Sequence, residues 1–503
     1  AILAGDSVTL VDAWGSKKLF AFDGFDDAKA AAPLANSTTK GYYVEETSEA
    51  PLPPPPTKAA ASGPPAATTT RSAAAPAPST TPMPAEGSRR TVVGKSGAML
   101  RAGCELDTVD LDVTLEAGTE VFVVEESKNA KGSLRARIGR YADAKTGLYT
   151  AVDGWCTAKF LTTNSDAEPL PEVGATVPVF APPSATKPPT TYAVLFPGQG
   201  AQKVGMMTPY LDAPGVRSMF ALASEAFDGE DLLEVIQAGP ESKLNDTRYS
   251  QVCVFLTSLA AMKKLAAEDP SVVANATVTA GFSLGEYTAL AFAGVLDLKT
   301  AIALLKVRGA AMAAACAVTK DAAGAPVQTG MMTVVGIEDA QLAELMAAHA
   351  PHASVANQLF PKGRVLSGPK TELATLETAV KALAVAGSKT IVQPVSGAFH
   401  SVYMQPAADE LSAALADATF HAPTRTVYSN VTARPHATDV AAIKAKMVEQ
   451  LTAGVLWEDT MRHVEATAGW ATVDKVFEPA PGRQLSSMMK RIFPENVSKM
   501  NNV

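Results

Sequence analysis

An α/β core preceded by a small all-β module is the architecture that this 503-residue sequence predicts, and three observations carry the expectation. From residue 192 to about 491, short apolar, β-branched runs alternate with helix-length segments, the pattern of a parallel sheet covered by helices. Between 91 and 163 the pattern changes to short alternating strands separated by turn residues. Proline-rich tracts at 51–90 and 164–191 set these patterns apart from each other and from the N-terminus.

In chain order, residues 1–50 hold one strand-like run, Ser7-Val8-Thr9-Leu10-Val11, and a polar, alanine-rich continuation with no assignable fold. The 51–90 tract includes Pro53-Pro54-Pro55-Pro56 and offers too little apolar surface to offset its ordering entropy. It reads as a spacer in preference to a polyproline ligand. In 91–163, runs such as Glu120-Val121-Phe122-Val123-Val124 and a closing Gly154-Trp155 resemble a bacterial-type SH3-like β-barrel, with Trp155 read as core in preference to a ligand platform. Within 192–492, residues 330–395 run strand, helix, strand, strand, helix, strand, the order of a ferredoxin-like subdomain. It is inserted in a larger hydrolase-like α/β fold, and the cleft between the two is the default ligand site. Residues 493–503 read as a C-terminal tail.

Composition narrows the function. The formal net charge of −8, with no block of lysine and arginine, argues against nucleic acid as a partner, because phosphate neutralisation needs a basic face. Cys104, Cys156, Cys253 and Cys316 are widely spaced and form no CxxC, so reduced, buried thiols are expected in place of a zinc site or disulfide framework. No uninterrupted apolar run reaches the about 20 residues of a bilayer span, and no transmembrane segment is predicted.

The chemistry centres on Gly281-Phe282-Ser283-Leu284-Gly285. The run Ala276-Thr277-Val278-Thr279-Ala280 before it suits a buried strand, and Glu286 to Ala293 after it suits a helix, which together describe a nucleophile elbow. A serine hydroxyl needs a base, and among six histidines His400 stands out at the end of a strand and small-residue loop, Pro394 to Ser401. Leu195-Phe196-Pro197-Gly198-Gln199-Gly200 follows a strand and can aim the Gln199 N–H at a developing oxyanion beside that of Leu284; alone it also reads as an ordinary turn. Arg308 sits on a helix otherwise apolar toward the core, so it must be paired, either with a protein acid or with a substrate carboxylate.

These stretches, Leu195 to Gln202, Gly281 to Gly294 and Gly397-Ala398-Phe399-His400-Ser401, resemble the malonyl-CoA:acyl carrier protein transacylases over about 192–492, and look most like the plant plastid enzymes. The resemblance implies a hydrolase-like acyltransferase core with Ser283 as acylated nucleophile, His400 as base, and the N–H groups of Gln199 and Leu284 as oxyanion hole. It further implies Arg308 as clamp on the malonyl carboxylate, Gln251 and Asn357 near the substrate, and the backbone carbonyl of Leu456 as the group orienting His400. The implied substrates are malonyl-CoA and the phosphopantetheine thiol of acyl carrier protein in fatty acid synthesis, with no bound cofactor and no metal. The implied compartment is the plastid stroma, with the mitochondrial matrix as alternative. Phe282, Val252 and Ala480 depart from residues common in the family. Lys203, Lys362, Arg364, Lys490 and Arg491 are candidates for a basic rim meeting the acidic carrier. A serine thioesterase or hydrolase, and a scaffold subunit docked through a protein partner of the N-terminal module, are the alternative functions.

Overall fold

The computed structural model describes three strands within residues 1–21 and residues 83–503, apart from 94–96, 106–107, 109, 144–146, 163–166, 184–189 and 321–323. Most of the first proline tract thus lies outside the described residues. The first unit, within 1–74, contains β1 (Ile2–Ala4), β2 (Ser7–Val11) and β3 (Lys17–Ala21), paired antiparallel in that order.

The second unit, 75–503, opens with a seven-stranded antiparallel sheet in the order β10-β4-β7-β8-β9-β5-β6. Its strands are β4 (Glu86–Thr91), β5 (Ala98–Arg101), β6 (Asp110–Leu115), β7 (Glu120–Lys128), β8 (Leu134–Asp143), β9 (Leu148–Thr157) and β10 (Ala167–Pro169). A separate core that includes Val92, Leu100, Val121, Ile138 and Cys156 fills it, and Trp155 is buried. Both expected boundaries move outward. β4 lies inside the tract read as spacer because its sequence, Glu-Gly-Ser-Arg-Arg-Thr, has no apolar alternation; Arg90 is held instead by Glu126 at 2.9 Å and Arg89 by Glu120 at 3.4 Å.

The described parts of the second proline tract, 167–183 and 190–191, are likewise built into the fold. β10 adds to the sheet beside β4, and Phe180 is 7% exposed, its ring 5.2 Å from that of Phe292 in the catalytic core. Isolated apolar residues between prolines carry no periodicity, so the pattern gave no sign of this packing.

The catalytic core is a five-stranded parallel sheet, β17-β12-β11-β18-β19, made of β11 (Tyr192–Phe196), β12 (Ala276–Gly281), β17 (Thr426–Val427), β18 (Lys475–Glu478) and β19 (Met500–Asn502). Every residue of β11 is buried, as a central parallel strand covered on both faces requires. The expected C-terminal tail is corrected: β19 pairs with β18, and the Val503 carbonyl accepts from Tyr210 Oη at 2.8 Å. The segment Met500-Asn501-Asn502 is too short and polar to announce a strand.

Between β12 and β17 lies the inserted subdomain, β13 (Thr329–Val335), β14 (Ser354–Phe360), β15 (Gly363–Pro369) and β16 (Lys389–Val392), antiparallel in the order β14-β15-β13-β16 with helices Asp339–His349 and Lys370–Ala382. This is the predicted βαββαβ arrangement, with a core of its own around Met332, Leu366 and Leu376. One described helix, Leu298–Ala317, is long and apolar enough by length and composition to cross a membrane, although Lys299, Lys306 and Arg308 interrupt it and half of it is buried inside the protein. It packs here against helices Thr247–Glu268 and Gln405–Asp417 and carries Arg308 inward.

Candidate active site

β12 ends in the elbow, and the backbone there is held in an uncommon conformation. Ser283 has φ 52° and ψ −104°, left-handed for a residue with a side chain, which costs roughly 1–3 kcal/mol and persists only where the surroundings fix it. The flanking glycines are required by contact: a Cβ on Gly281 would lie 1.9 Å from the backbone of Gly285, and one on Gly285 would lie 2.2 Å from the Phe196 carbonyl oxygen. Asn430, just past β17, fixes the turn from outside. Its Oδ1 accepts from the Ser283 N–H at 2.7 Å, and its Nδ2 donates to the Gly281 carbonyl at 2.7 Å.

Ser283 Oγ is 2.7 Å from His400 Nε2. His400 is 5% exposed and has φ 57°, so the loop that displays it is as constrained as the elbow. Its Nδ1 is 2.8 Å from the Gln450 carbonyl, which can only accept; Nδ1 therefore carries the proton and Nε2 is free to take one from the serine. The carbonyl expected from Leu456 is thus corrected to Gln450. Leu456 instead uses its N–H to bond the Asn430 carbonyl at 2.9 Å, one turn later, where the chain enters the helix Trp457–Thr467. Burial and, secondarily, the nearby Arg308 charge push the His400 pKa down to about 4.

Arg308 is 1% exposed and has no carboxylate within ion-pair distance among the described residues. Nη1 donates to Gln251 Oε1 at 2.5 Å, and Nη2 to Gln450 Oε1 at 3.0 Å and Ser283 Oγ at 3.3 Å, while Nε has no hydrogen-bond partner among the described residues. The guanidinium also lies over the Tyr287 ring, 5.2 Å from its centroid. Burial lowers its pKa, the direction expected when a charge lacks a close counter-ion.

Gln199 and Leu284 sit where expected, on the loop after β11 and at the first turn of helix Leu284–Phe292. The neighbouring N–H groups of Gly198 and Gly200 are taken by Gln484 at 3.2 Å and Gln202 at 2.7 Å, whereas those of Gln199 and Leu284 have no hydrogen bond among the described residues. Asn357 is buried on β14 and bridges to Val455, but its side chain makes no hydrogen bond to Ser283, His400 or Arg308. A cavity of about 640 Å³ opens beside the Gln199 loop, lined by Gln199, Thr247, Arg248, Ala310, Ala314 and Ser396; neither Ser283 nor His400 lines it.

Three residues here escaped sequence reasoning: Gln450, Asn430 and His436. The last sits in a polar segment that reads as exposed, yet its side chain is 2% exposed with Nε2 2.6 Å from Glu286 Oε1. The expected basic rim is also reduced. Arg364 is buried between Asp339 at 2.7 Å and Glu458 at 3.0 Å, whereas Lys203, Lys490, Lys362 paired with Glu338, and Arg491 against the Phe360 ring remain exposed.

Against known proteins, residues 193–490 match the family model described as the acyl transferase domain. The human mitochondrial malonyl-CoA–acyl carrier protein transacylase is 35% identical over 59% of this chain and 76% of its own length. The crystal structure of the Xanthomonas oryzae malonyl-CoA:acyl carrier protein transacylase, 34% identical, covers 62% of this chain and 94% of that one with a TM-score of 0.55. A malonyl-transacylase solved in complex with a type II polyketide synthase acyl carrier protein is 30% identical, covers 62% and 95% of the two chains, and has a TM-score of 0.54. A family model matched over more than half of the chain, around a half-buried serine and a buried histidine and arginine, places this protein in the acyl transferase family, among the malonyl-CoA–acyl carrier protein transacylases.

Proposed function

We propose that this chain transfers the malonyl group of malonyl-CoA to the phosphopantetheine thiol of acyl carrier protein through a malonyl-Ser283 intermediate, in fatty acid synthesis. His400 Nε2 takes the Ser283 proton as Oγ attacks the thioester carbon. The carbonyl electrons move to oxygen, which the N–H groups of Gln199 and Leu284 receive. The C–S bond breaks, and CoA leaves as its thiol with the proton from His400. The carrier thiol then gives its proton to His400 and attacks the acyl carbon of malonyl-Ser283; the C–Oγ bond breaks, His400 returns the proton to Ser283 Oγ, and the carrier leaves as its malonyl thioester. No cofactor takes part in these steps.

The observation that carries this reading is the buried Arg308, without an acid partner and 3.3 Å from the nucleophile. A guanidinium in such a place is matched by a carboxylate delivered with the acyl group, which distinguishes malonyl from acetyl. Gln251, hydrogen-bonded to the guanidinium, keeps the clamp in place, and the family resemblance assigns Asn357 a place near the substrate. Arg308→Ala is expected to lower kcat/KM for malonyl-CoA by at least about 100-fold, the effect of losing a buried charge pair, while transfer from acetyl-CoA is retained or rises. Unchanged malonyl preference removes the clamp. Without carrier protein a transferase releases one equivalent of CoA per chain and stops, whereas a hydrolase continues; continued CoA release only when carrier protein is present separates transfer from hydrolysis.

The sequence pattern of the 91–163 region supports an SH3-like reading with a protein partner, and the mitochondrial relatives favour the mitochondrial matrix over the plastid stroma. Co-purification with and without residues 83–169, which leaves Phe180 and Ala181 on the catalytic core, and imaging of the native protein test these two proposals.

A further inference from the structure

Arg308 reaches the substrate through groups that must themselves face the right way, and its two amide partners are held very differently. Gln251 presents Oε1 to the guanidinium with its Nε2 against only the thioether of Met312 at 3.3 Å. Gln450 presents Oε1 to Nη2 of Arg308 with its Nε2 2.5 Å from Glu286 Oε2 and 3.0 Å from the Ser283 carbonyl. A primary amide has one donating and one accepting end. A carboxylate can only accept, so it fixes which end faces it and hence which end faces Arg308. Glu286 is fully buried and has no lysine or arginine at ion-pair distance among the described residues. Its second oxygen is met by His436 Nε2 at 2.6 Å, and Oε2 also accepts from the Asn430 N–H at 3.2 Å.

We propose that Glu286, held in place by His436, is the positioning residue that sets selectivity for a carboxylated acyl group, because it orients Gln450 and through it Arg308. The inference rests on the malonyl-transfer reading above and deepens it. The same Gln450 holds the base through its main-chain carbonyl, which does not depend on how the side-chain amide is turned. Loss of Glu286 therefore acts on acyl selectivity more than on the serine–histidine pair. With a neutral amide in place of the carboxylate, Gln450 loses the charged one of the two acceptors that fix its orientation and keeps only the Ser283 carbonyl, so the turned amide, with an N–H facing the guanidinium, becomes more populated and weakens the clamp.

The test compares kcat/KM for malonyl-CoA and for acetyl-CoA, with holo acyl carrier protein as acceptor, in the full chain and its Glu286→Gln, His436→Ala and His436→Gln variants. The isosteric Glu286→Gln is expected to lower the malonyl-to-acetyl ratio about tenfold or more, the scale of one hydrogen bond to a charged group, mainly through KM for malonyl-CoA. His436→Ala should move the ratio in the same direction, and His436→Gln, which restores a donor, should recover much of it. Equal loss on both acyl groups, or an unchanged ratio in folded variants, overturns the proposal and leaves the pair purely structural. If Glu286→Gln does not fold, the two His436 variants decide. Wild-type protein without malonyl preference sinks the parent reading, whereas normal wild-type and Arg308→Ala behaviour with an unmoved Glu286→Gln ratio sinks this inference alone.

Discussion

Two buried arginines of the catalytic core show how similar burial can serve opposite ends. Arg425, 5% exposed, donates to four main-chain carbonyls: Ala276 at 3.0 Å, Phe292 at 2.5 Å, Ala181 at 2.5 Å and Val273 at 3.1 Å, with its guanidinium 4.3 Å from the centroid of the Phe292 ring. Arg308, 1% exposed, has two amide oxygens, a shared hydroxyl and an Nε with no hydrogen-bond partner among the described residues. Burial lowers the pKa of both, Arg425 to about 10. The difference lies in the partners. Arg425 is closed on all sides by backbone, tying the strand before the elbow, the end of the elbow helix and the segment around Ala181 into one piece. Arg308 keeps an unpartnered Nε among the described residues beside the Ser283 hydroxyl, which is where the proposed substrate carboxylate would be received.

The largest effect that can break this contrast is on the covalent step. Radioactive malonyl-CoA should label the wild-type chain, and Ser283→Ala should abolish the label entirely, whereas folded Arg425→Met should still be labelled. Label persisting in Ser283→Ala places the nucleophile elsewhere and removes the reason to treat Arg308 as part of the site.

A smaller effect concerns stability. Arg425→Met leaves buried carbonyls unpaired at about 1–3 kcal/mol each, so unfolding free energy should fall by roughly 3 kcal/mol or more while the malonyl-to-acetyl ratio stays at its wild-type value. Denaturant titration and the two-substrate assay check this together. A changed ratio would mean that Arg425 is not merely a tie.

The same contrast explains what the sequence could and could not disclose. Ser283, His400 and Arg308 were legible because each is a rare residue type in a constrained local setting: a serine between glycines, a histidine in a small-residue loop, an arginine on an apolar helix face. The core sheet and the βαββαβ insertion were legible from periodicity. Gln450, Asn430 and Glu286–His436 were not, because their roles come from meetings across 144 to 167 residues of sequence separation. Glutamine at the end of an exposed-looking helix gives no local signal, and the error of placing the histidine's carbonyl partner at Leu456 came from counting positions where only the turn's path decides. The structural use of Phe180 and Ala181 was hidden for a related reason: a proline-rich tract looks like a tether until a buried ring and a carbonyl acceptor are seen at its end.

The finest distinction is in pH dependence. A histidine oriented by an aspartate is drawn toward the imidazolium, whereas His400 meets a neutral carbonyl on one side and the Arg308 cation on the other, inside a buried site. Its pKa is pushed down to about 4 from the ordinary 6.5, so the neutral, proton-accepting form persists throughout the range between them. The kcat/KM of the free enzyme for malonyl-CoA should therefore stay flat from pH 8 to near 5 and fall only as pH approaches 4, in place of halving near 6.5. Stability has the same sign. Between about 4 and 6.5 the unfolded chain binds a proton at this histidine that the folded chain does not, so ΔG of unfolding rises with pH across that window. The contribution is complete above 6.5 and is lost as pH falls toward 4. In Arg308→Ala the secondary cause of the depression is removed while burial remains, so the acidic limb should move upward without reaching the ordinary value. An acidic limb already at 6.5 in the wild type would show that the site admits water or a counter-charge, and would close the gap between the two arginines.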